Sequence, residues 1–290
     1  MQIPAGSVPI ERPCLYLVAT PIGQLADISL RALAVLDACD LVLAEDTRMT
    51  RRLLDHYVIA NTLNAVHDHN ERDVAARLVT RIARDSLAVA LVSDAGTPLV
   101  SDPGYPLVRA AIAAGLTVRA VPGACAALAA LCVAGLPSNR FAFEGFLPHK
   151  DAAARSALAA VADEARTLIL YESPRRVRRT LQLIAEIVEA SREICVAREL
   201  TKLHETHYRG TASEVLAMLE ADPFGATGEF VIVIAPATPH EAEDGQVESW
   251  LRALAPHLPR SRAVEVISSV LARPRNDVYR LALGIDDFAR

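Results

Sequence analysis

Aromatic side chains are scarce in this chain: one Trp, six Tyr and six Phe make up 4% of 290 residues. That excludes a nucleic-acid surface built mainly from stacking platforms. An excess of positive charge is missing too. Lys and Arg number 30 against 35 Asp and Glu, a formal net charge of −5, so contact with a polyanion has to come from local clusters. The five cysteines, Cys14, Cys39, Cys125, Cys132 and Cys195, stand apart in apolar surroundings with no CxxC pair. They read as free thiols of a reducing compartment rather than a disulfide framework or a zinc site. No apolar run approaches the ~20 residues that span a bilayer, and residues 1–13 hold no apolar segment of a secretion signal. The expectation is a soluble, cytoplasmic protein with no membrane partner. Neither GxGxxG nor a Walker A pattern occurs, which removes the usual dinucleotide and P-loop sites.

What the chain does have is apolar content, 52%, enough for two ordinary domains with real cores. Short apolar runs at 14–19, 41–44, 63–66, 87–92 and 118–121 read as strands. Helix-period segments at 28–38, 47–57, 71–84 and 103–114 alternate with them, the pattern of a parallel sheet covered by helices. Pro122-Gly123 breaks the alternation, and a helix of small residues follows at 124–134, closed by Gly135. A second α/β region has strands at 141–143, 167–171, 193–197, 205–208 and 230–235, with helices at 152–162, 175–188 and 212–220. Residues 236–246 read as a linker, and 247–284 show helical periodicity alone. The expected organisation is therefore one α/β domain at 13–122, a second at 123–237, and a helical extension at 247–290.

The segments rich in chemistry follow strands. Ser93-Asp94-Ala95-Gly96-Thr97-Pro98 and Ser101-Asp102-Pro103-Gly104 make a tight polar loop after one apolar run. In an open parallel sheet, ligands sit outside such carboxyl ends, and glycine there admits a planar ligand close to the backbone. Thr20-Pro21-Ile22-Gly23-Gln24-Leu25 ends the first strand. Glu45-Asp46-Thr47-Arg48 ends the second; it reads either as acids complementing a helix dipole or as a polar wall of a site. His67-Asp68-His69-Asn70-Glu71 and His204-Glu205-Thr206-His207 lack a third ligand of clear geometry, so no metal is expected. Glu172-Ser173-Pro174-Arg175-Arg176-Val177-Arg178-Arg179 sets arginines against a helix N-terminus, which suits phosphates better than the dipole. Arg198-Glu199-Leu200-Thr201-Lys202 mixes both charges after another strand.

Taken in order, these loops, together with Leu17-Val18-Ala19 and Gly145-Phe146-Leu147-Pro148, make the chain resemble the ribosomal RNA small-subunit methyltransferase I family, a branch of the tetrapyrrole methylases. The likeness covers about residues 14–284. It implies two α/β domains, the first with a parallel and the second with a mixed sheet, plus the helical extension. It also implies S-adenosyl-L-methionine as cofactor, 2′-O-methylation of a cytidine in 16S rRNA of the small ribosomal subunit, and a homodimer. Pro21, Gly23, Asp94, Ala95, Gly96, Ser101, Asp102, Gly123 and Ala124 are then expected to hold the cofactor. Glu45, Asp46 and Glu199 are alternative general bases, with Lys202 steering phosphates. Arg48, Arg175, Arg176, Arg179 and Arg198 are expected on the RNA backbone. Gln24, Cys125 and Cys132 depart from the family's usual residues. A methylase of tetrapyrroles or other small molecules, and a non-catalytic ribosome-binding module, stay open as alternatives.

Overall fold

The computed structural model describes residues 8–66, 71–238, 244–271 and 273–289. It forms two compact units, residues 1–237 and 238–290, so both expected α/β domains fall inside the first unit.

The first sheet contains β1 (Cys14–Val18), β2 (Leu41–Ala44), β3 (Leu63–Ala65), β4 (Ala88–Val92) and β5 (Thr117–Val121), in the order β3-β2-β4-β1-β5. Every pairing is parallel. The strands are apolar at successive positions because both faces are covered. Cys14, Tyr16 and Val18 point to a core shared with α1 (Leu30–Ala38) and α2 (Thr47–His56), whereas Leu15 points to a core shared with α3 (Glu71–Arg84) and α4 (Tyr105–Ala113). β4 divides in the same way, with Ala88, Ala90 and Val92 on the first face and Val89 and Leu91 on the second. The side-chain period of two thus feeds two cores from one strand. β1 and β4 are neighbours, yet the helices after them lie on opposite faces. The loops leaving their carboxyl ends diverge there, which opens a crevice.

The second sheet runs β6-β7-β10-β8-β9, built from β6 (Phe141–Phe146), β7 (Thr167–Glu172), β8 (Glu193–Arg198), β9 (Thr206–Thr211) and β10 (Phe230–Ile234). β6 and β7 are parallel and the other pairs antiparallel, so this sheet is mixed. α6 (Asp151–Ala160), α7 (Val177–Ile187) and α8 (Ala212–Ala221) cover one face, burying Leu168, Leu170, Val196 and Ile232. α5 (Ala126–Ala134) covers the other, where Ala127, Ala130 and Ala134 meet Ile169, Cys195 and Val233. Its alanines let the helix approach the sheet closely, and Ile22 from the loop after β1 is buried in the same cluster.

Three loops are knotted at this junction. The Thr20 amide donates to the Gly96 carbonyl (2.9 Å), the Gly96 amide donates to Thr20 Oγ1 (3.2 Å), and Ser93 Oγ donates to the Gly96 carbonyl (2.8 Å). Thr97 Oγ1 then donates to the Ala124 carbonyl (2.9 Å), tying in the segment before α5. Gly96 has φ +98°, and a Cβ there would stand 3.1 Å from Ile22 and 3.3 Å from the Ala124 oxygen.

The second unit is a three-helix assembly: α9 (Asp244–Leu254), α10 (Arg260–Val270) and α11 (Arg275–Ala282). Val247, Leu251, Val264, Ile267, Val278 and Ala282 form its own core. Pro259 and Pro274 stand just before α10 and α11, where a proline meets no helical hydrogen-bond demand, and each lends its carbonyl to the first turn.

Replacing Gly96 by alanine forces a side chain into a left-handed conformation inside this knot. We expect the Gly96→Ala variant to lose about 1–3 kcal/mol of stability, measured by chemical denaturation.

Candidate functional site

The carboxyl ends of β1, β2 and β4 face the loops that follow β8 and precede β10. Two cavities lie between them and share Ile22, Ala95 and Glu229 as lining. The first encloses about 770 Å³ of empty space, its mouth included, and the second about 960 Å³. Ser101, Asp102, Tyr171 and Phe146 line the first, with an apolar floor of Val100, Ala126, Leu200 and Val231. Pro21, Gly23, Asp94 and Lys202 line the second, together with side chains of α2. Four non-glycine residues of these loops take positive φ: Leu99 (71°), Ser101 (63°), Glu199 (53°) and Thr201 (64°). Such strain persists only where surrounding contacts over-determine the backbone.

Of the residues expected to hold a cofactor, Ala95, Ser101 and Asp102 therefore reach the first cavity, and Pro21, Gly23, Asp94 and Ala95 the second. Gly96, Gly123 and Ala124 line neither. The glycines make room for protein instead of a planar ligand. A Cβ on Gly123 would stand 2.9 Å from that of Ala19, and one on Gly23 would stand 2.5 Å from Lys202 Cγ. The β1 loop is pressed against the β8 loop at that point, where the Gln24 amide donates to Thr201 Oγ1 (3.1 Å).

The carboxylates divide by environment. Burial, with Glu45 and Asp94 nearby, pushes Asp102 up to about 7. Asp46 does the opposite. It caps α2 and takes a two-pronged hydrogen bond from Arg48 (3.0 and 2.7 Å), which holds it down at about 2. Glu199 is raised by burial, but hydrogen bonds from Lys202 Nζ (2.8 Å) and the Glu229 amide (3.0 Å) outweigh that and leave it below the usual range. Burial lowers Lys202, yet its bonds to Glu199 and Glu229 (3.0 Å) win and keep it charged. Glu45 is exposed at the end of β2. Asp102 is thus raised toward neutrality, while Asp46 and Glu199 are held below the usual carboxylate range. A general base works best when its pKa lies near the operating pH, a condition Asp102 meets through its burial beside Glu45 and Asp94.

The arginines are corrected most. Arg198 is 5% exposed, donating to the Thr227 carbonyl (2.9 Å) and pairing with Asp222 (3.4 Å). Arg176 is also turned inward. It meets the fully buried carboxylate of Glu172 (3.2 Å), the Leu147 carbonyl (2.7 Å) and His149 Nδ1 (3.2 Å). Glu172 is further bonded by Thr180 Oγ1 (2.6 Å). The pair forms a clasp that holds the loop after β6, and with it Phe146, beside Tyr171 (ring centroids 5.6 Å apart). Arg179 pairs with Asp151 (2.7 Å). Arg48, although bonded to Asp46, is 84% exposed, and Arg175 is exposed without a partner among the described residues. Residues 67–70 of the His-Asp-His-Asn run lie outside the described residues. His207 Nε2 lies 3.1 Å from a Glu205 oxygen, and no His, Cys, Asp and Glu cluster suited to a metal occurs among the described residues.

Sequence reading missed Tyr171, Leu200, Val231 and Glu229 as lining. The first two stand at strand ends beside motifs already noted, but nothing in the sequence around Glu229 marks it.

Residues 14–216 match the family described as Tetrapyrrole (Corrin/Porphyrin) Methylases, and residues 241–286 match one described as RsmI C-terminal HTH domain. Proteins named "Ribosomal RNA small subunit methyltransferase I" are similar along nearly the whole length. The one from Xylella fastidiosa strain Temecula1 is 46% identical, covering 91% of this chain and 97% of its own. That from Escherichia coli O157:H7 is 45% identical, covering 93% and 94%. The chain belongs to the ribosomal RNA small-subunit methyltransferase I family, within the tetrapyrrole methylases. Solved tetrapyrrole methylases share the fold. Uroporphyrin-III-C-methyltransferase from Thermus thermophilus superposes with TM-score 0.55 at 22% identity, covering 77% of this chain and 94% of that one. The methyltransferase CobJ gives 0.57 at 22%, with the same coverage. A Thermus thermophilus uroporphyrin-III C-methyltransferase complexed with S-adenyl homocysteine gives 0.53 at 18%, covering 76% and 96%.

Asp102 also makes a stability statement. Its pKa is about 7 in the fold and near 3.8 in the unfolded chain, so the folded state holds the extra proton between those values. Stability falls as pH rises from about 4 to about 7 and is flat with respect to this group above that. The Asp102→Asn variant should therefore gain melting temperature over wild type progressively across that window, with a constant gap above it, as read by calorimetry.

Proposed function

We propose that this chain transfers a methyl group from S-adenosyl-L-methionine to the 2′-hydroxyl of a cytidine ribose in 16S rRNA of the small ribosomal subunit, acting as a homodimer in the cytoplasm. The observation that carries this reading is the 45–46% identity to ribosomal RNA small subunit methyltransferase I proteins over more than nine tenths of the chain. The cavity chemistry agrees with such a donor. Ile22, Val100, Leu200 and Val231 offer apolar walls, Phe146 and Tyr171 offer ring faces for a purine, and Asp102 and Glu229 offer carboxylates to a cation.

When bound, the donor supplies a methyl carbon already activated by a positively charged sulfur. The protein's task is alignment and proton removal. Ser101, Ala95 and the apolar floor fix one reactant against the shared wall and exclude water, and holding reactants in line supplies about 7–11 kcal/mol of the barrier. With the ribose hydroxyl reaching the donor cavity across the shared wall of Ile22, Ala95 and Glu229, the Asp102 carboxylate would accept its proton as the O–C bond forms and the donor's S–C bond breaks to release S-adenosylhomocysteine, a contribution of about 10²–10⁴ in rate. Glu45 and Asp94 sustain its basicity by their charge. Lys202, locked to Glu199 and Glu229, keeps the loop after β8 in register with the loop after β1. Arg48 and Arg175 touch the RNA backbone from solvent-facing positions, while Arg176, Arg179 and Arg198 act through the protein they hold. The tetrapyrrole alternative rests on the broad family description of residues 14–216 and on fold likeness at 16–22% identity.

No helix among the described residues is long and apolar enough to cross a membrane. The test is methyl transfer from labelled donor to small subunits purified from cells lacking this protein, with uroporphyrinogen as the competing substrate and mass spectrometry of the 16S rRNA product. A ribose mark on a single cytidine supports the reading, and label in the porphyrinogen alone overturns it. In the same assay Asp102→Asn should lower kcat by about 10²–10⁴.

A further inference from the structure

With the donor seated in the first cavity, the second is left for another occupant. It nevertheless shares Ile22, Ala95 and Glu229 with it. Reacting atoms have to approach to about 3–3.5 Å, so the acceptor has to occupy space bordering the donor cavity, and this cavity borders it through three residues. Its lining differs in character from that of its neighbour. α2 contributes Met49, Thr50, Arg52, Leu53 and His56. Arg48, Arg52 and His56 follow one another at i, i+4 and i+8, so they form a row along one face of the helix, and all three are exposed. Among the described residues the Arg52 guanidinium forms no ion pair, and its contact is with Met49 Sδ (3.9 Å). Leu25 and Met49 stand exposed on the same lining, at 37% and 49%.

The acids in the cavity are already engaged. Glu229 is paired with Lys202 (3.0 Å), and an Asp94 oxygen takes the Asp46 amide (3.0 Å). An anionic occupant therefore meets an open arginine and a histidine at the rim without a free carboxylate directly opposite. An arginine with no ion pair among the described residues, beside exposed apolar side chains, suits a nucleotide, whose phosphates are anionic and whose ribose and base present flat, weakly polar faces.

Resting on the rRNA reading above, we propose that this second cavity receives the nucleotide to be methylated, splayed out of its strand, with Arg52 and His56 on the phosphates flanking it and Leu25 and Met49 against its ribose and base. The target has to be single-stranded or extruded, since a stacked, paired nucleotide cannot enter a pocket. The row on α2 extends the contact along the strand through Arg48. Recognition by α2 also reconciles an acidic chain with a polyanionic substrate, because the cations needed lie on one short helix.

The experiment measures small-subunit binding by filter retention across a salt series, and steady-state methylation, for the full-length protein. Arg52→Glu is compared with Arg109→Glu, the same charge change on an exposed residue of α4 that lines neither cavity. Arg52→Glu should weaken subunit binding about tenfold or more and flatten the salt dependence by about one phosphate contact, with S-adenosylhomocysteine affinity unchanged and Arg109→Glu behaving as wild type. Met49→Trp, which fills the cavity from its rim, should cut kcat/KM for subunits by a similar factor, again without change in S-adenosylhomocysteine affinity. If Arg52→Glu and Met49→Trp match Arg109→Glu while wild type methylates subunits, the cavity assignment is overturned and the rRNA reading stands. If wild type neither binds nor methylates subunits, both fall together.

Discussion

The reciprocal hydrogen bonding of Thr20 with Gly96 is the constraint on which the rest of the site depends. Each residue gives its amide to the other, and Ser93 adds a third bond to the same carbonyl. Both Thr20 and Ser93 are 3% exposed, so their polar atoms have to be satisfied within the protein. That demand fixes the loop after β1 relative to the loop after β4. Ile22 is then delivered into the core of the second sheet, and Ala95 and Asp102 are set facing the loops beyond β8. A cavity made from two different sheets needs such a joint, because neither sheet alone determines where the other's strand ends fall.

The same joint explains the electrostatics. Once the loop after β4 is held inward, Asp102 is partly withdrawn from water and has Glu45 and Asp94 for company. The neighbouring acids escape this by taking partners: Asp46 takes Arg48, and Glu199 takes Lys202. One backbone arrangement thus yields a carboxyl raised toward neutrality beside two, Asp46 and Glu199, that are held below the usual range.

The alternation of strands and helices was legible in the sequence because Gly, Pro and small polar residues punctuate each apolar run, and the two sheets appear where the runs stand. The mixed character of the second sheet followed from family resemblance rather than from the residues. The site was legible as loops but not as roles. Gly23 and Gly123 were read as openings for a ligand, yet their missing side chains are filled by Lys202 and Ala19, a contact across the fold that local sequence does not encode. The arginines of the Glu172–Arg179 stretch were read as an RNA grip, since nothing nearby in sequence reveals that Asp151 lies against Arg179 or that Leu147 offers its carbonyl to Arg176. The burial of Asp102 is equally invisible, because it comes from the way separate loops are brought together around it.

The clasp between Glu172 and Arg176 bears on how dry the donor cavity stays. Arg176 reaches two backbone carbonyls, a histidine ring and a carboxylate from one planar group. A lysine there would offer a single point charge and could not span that fork. The loop carrying Phe146 would then swing, and solvent would leak in beneath the aromatic pair. Watertightness at this end of the protein is thus governed from below, by a side chain that never meets what the cavity holds.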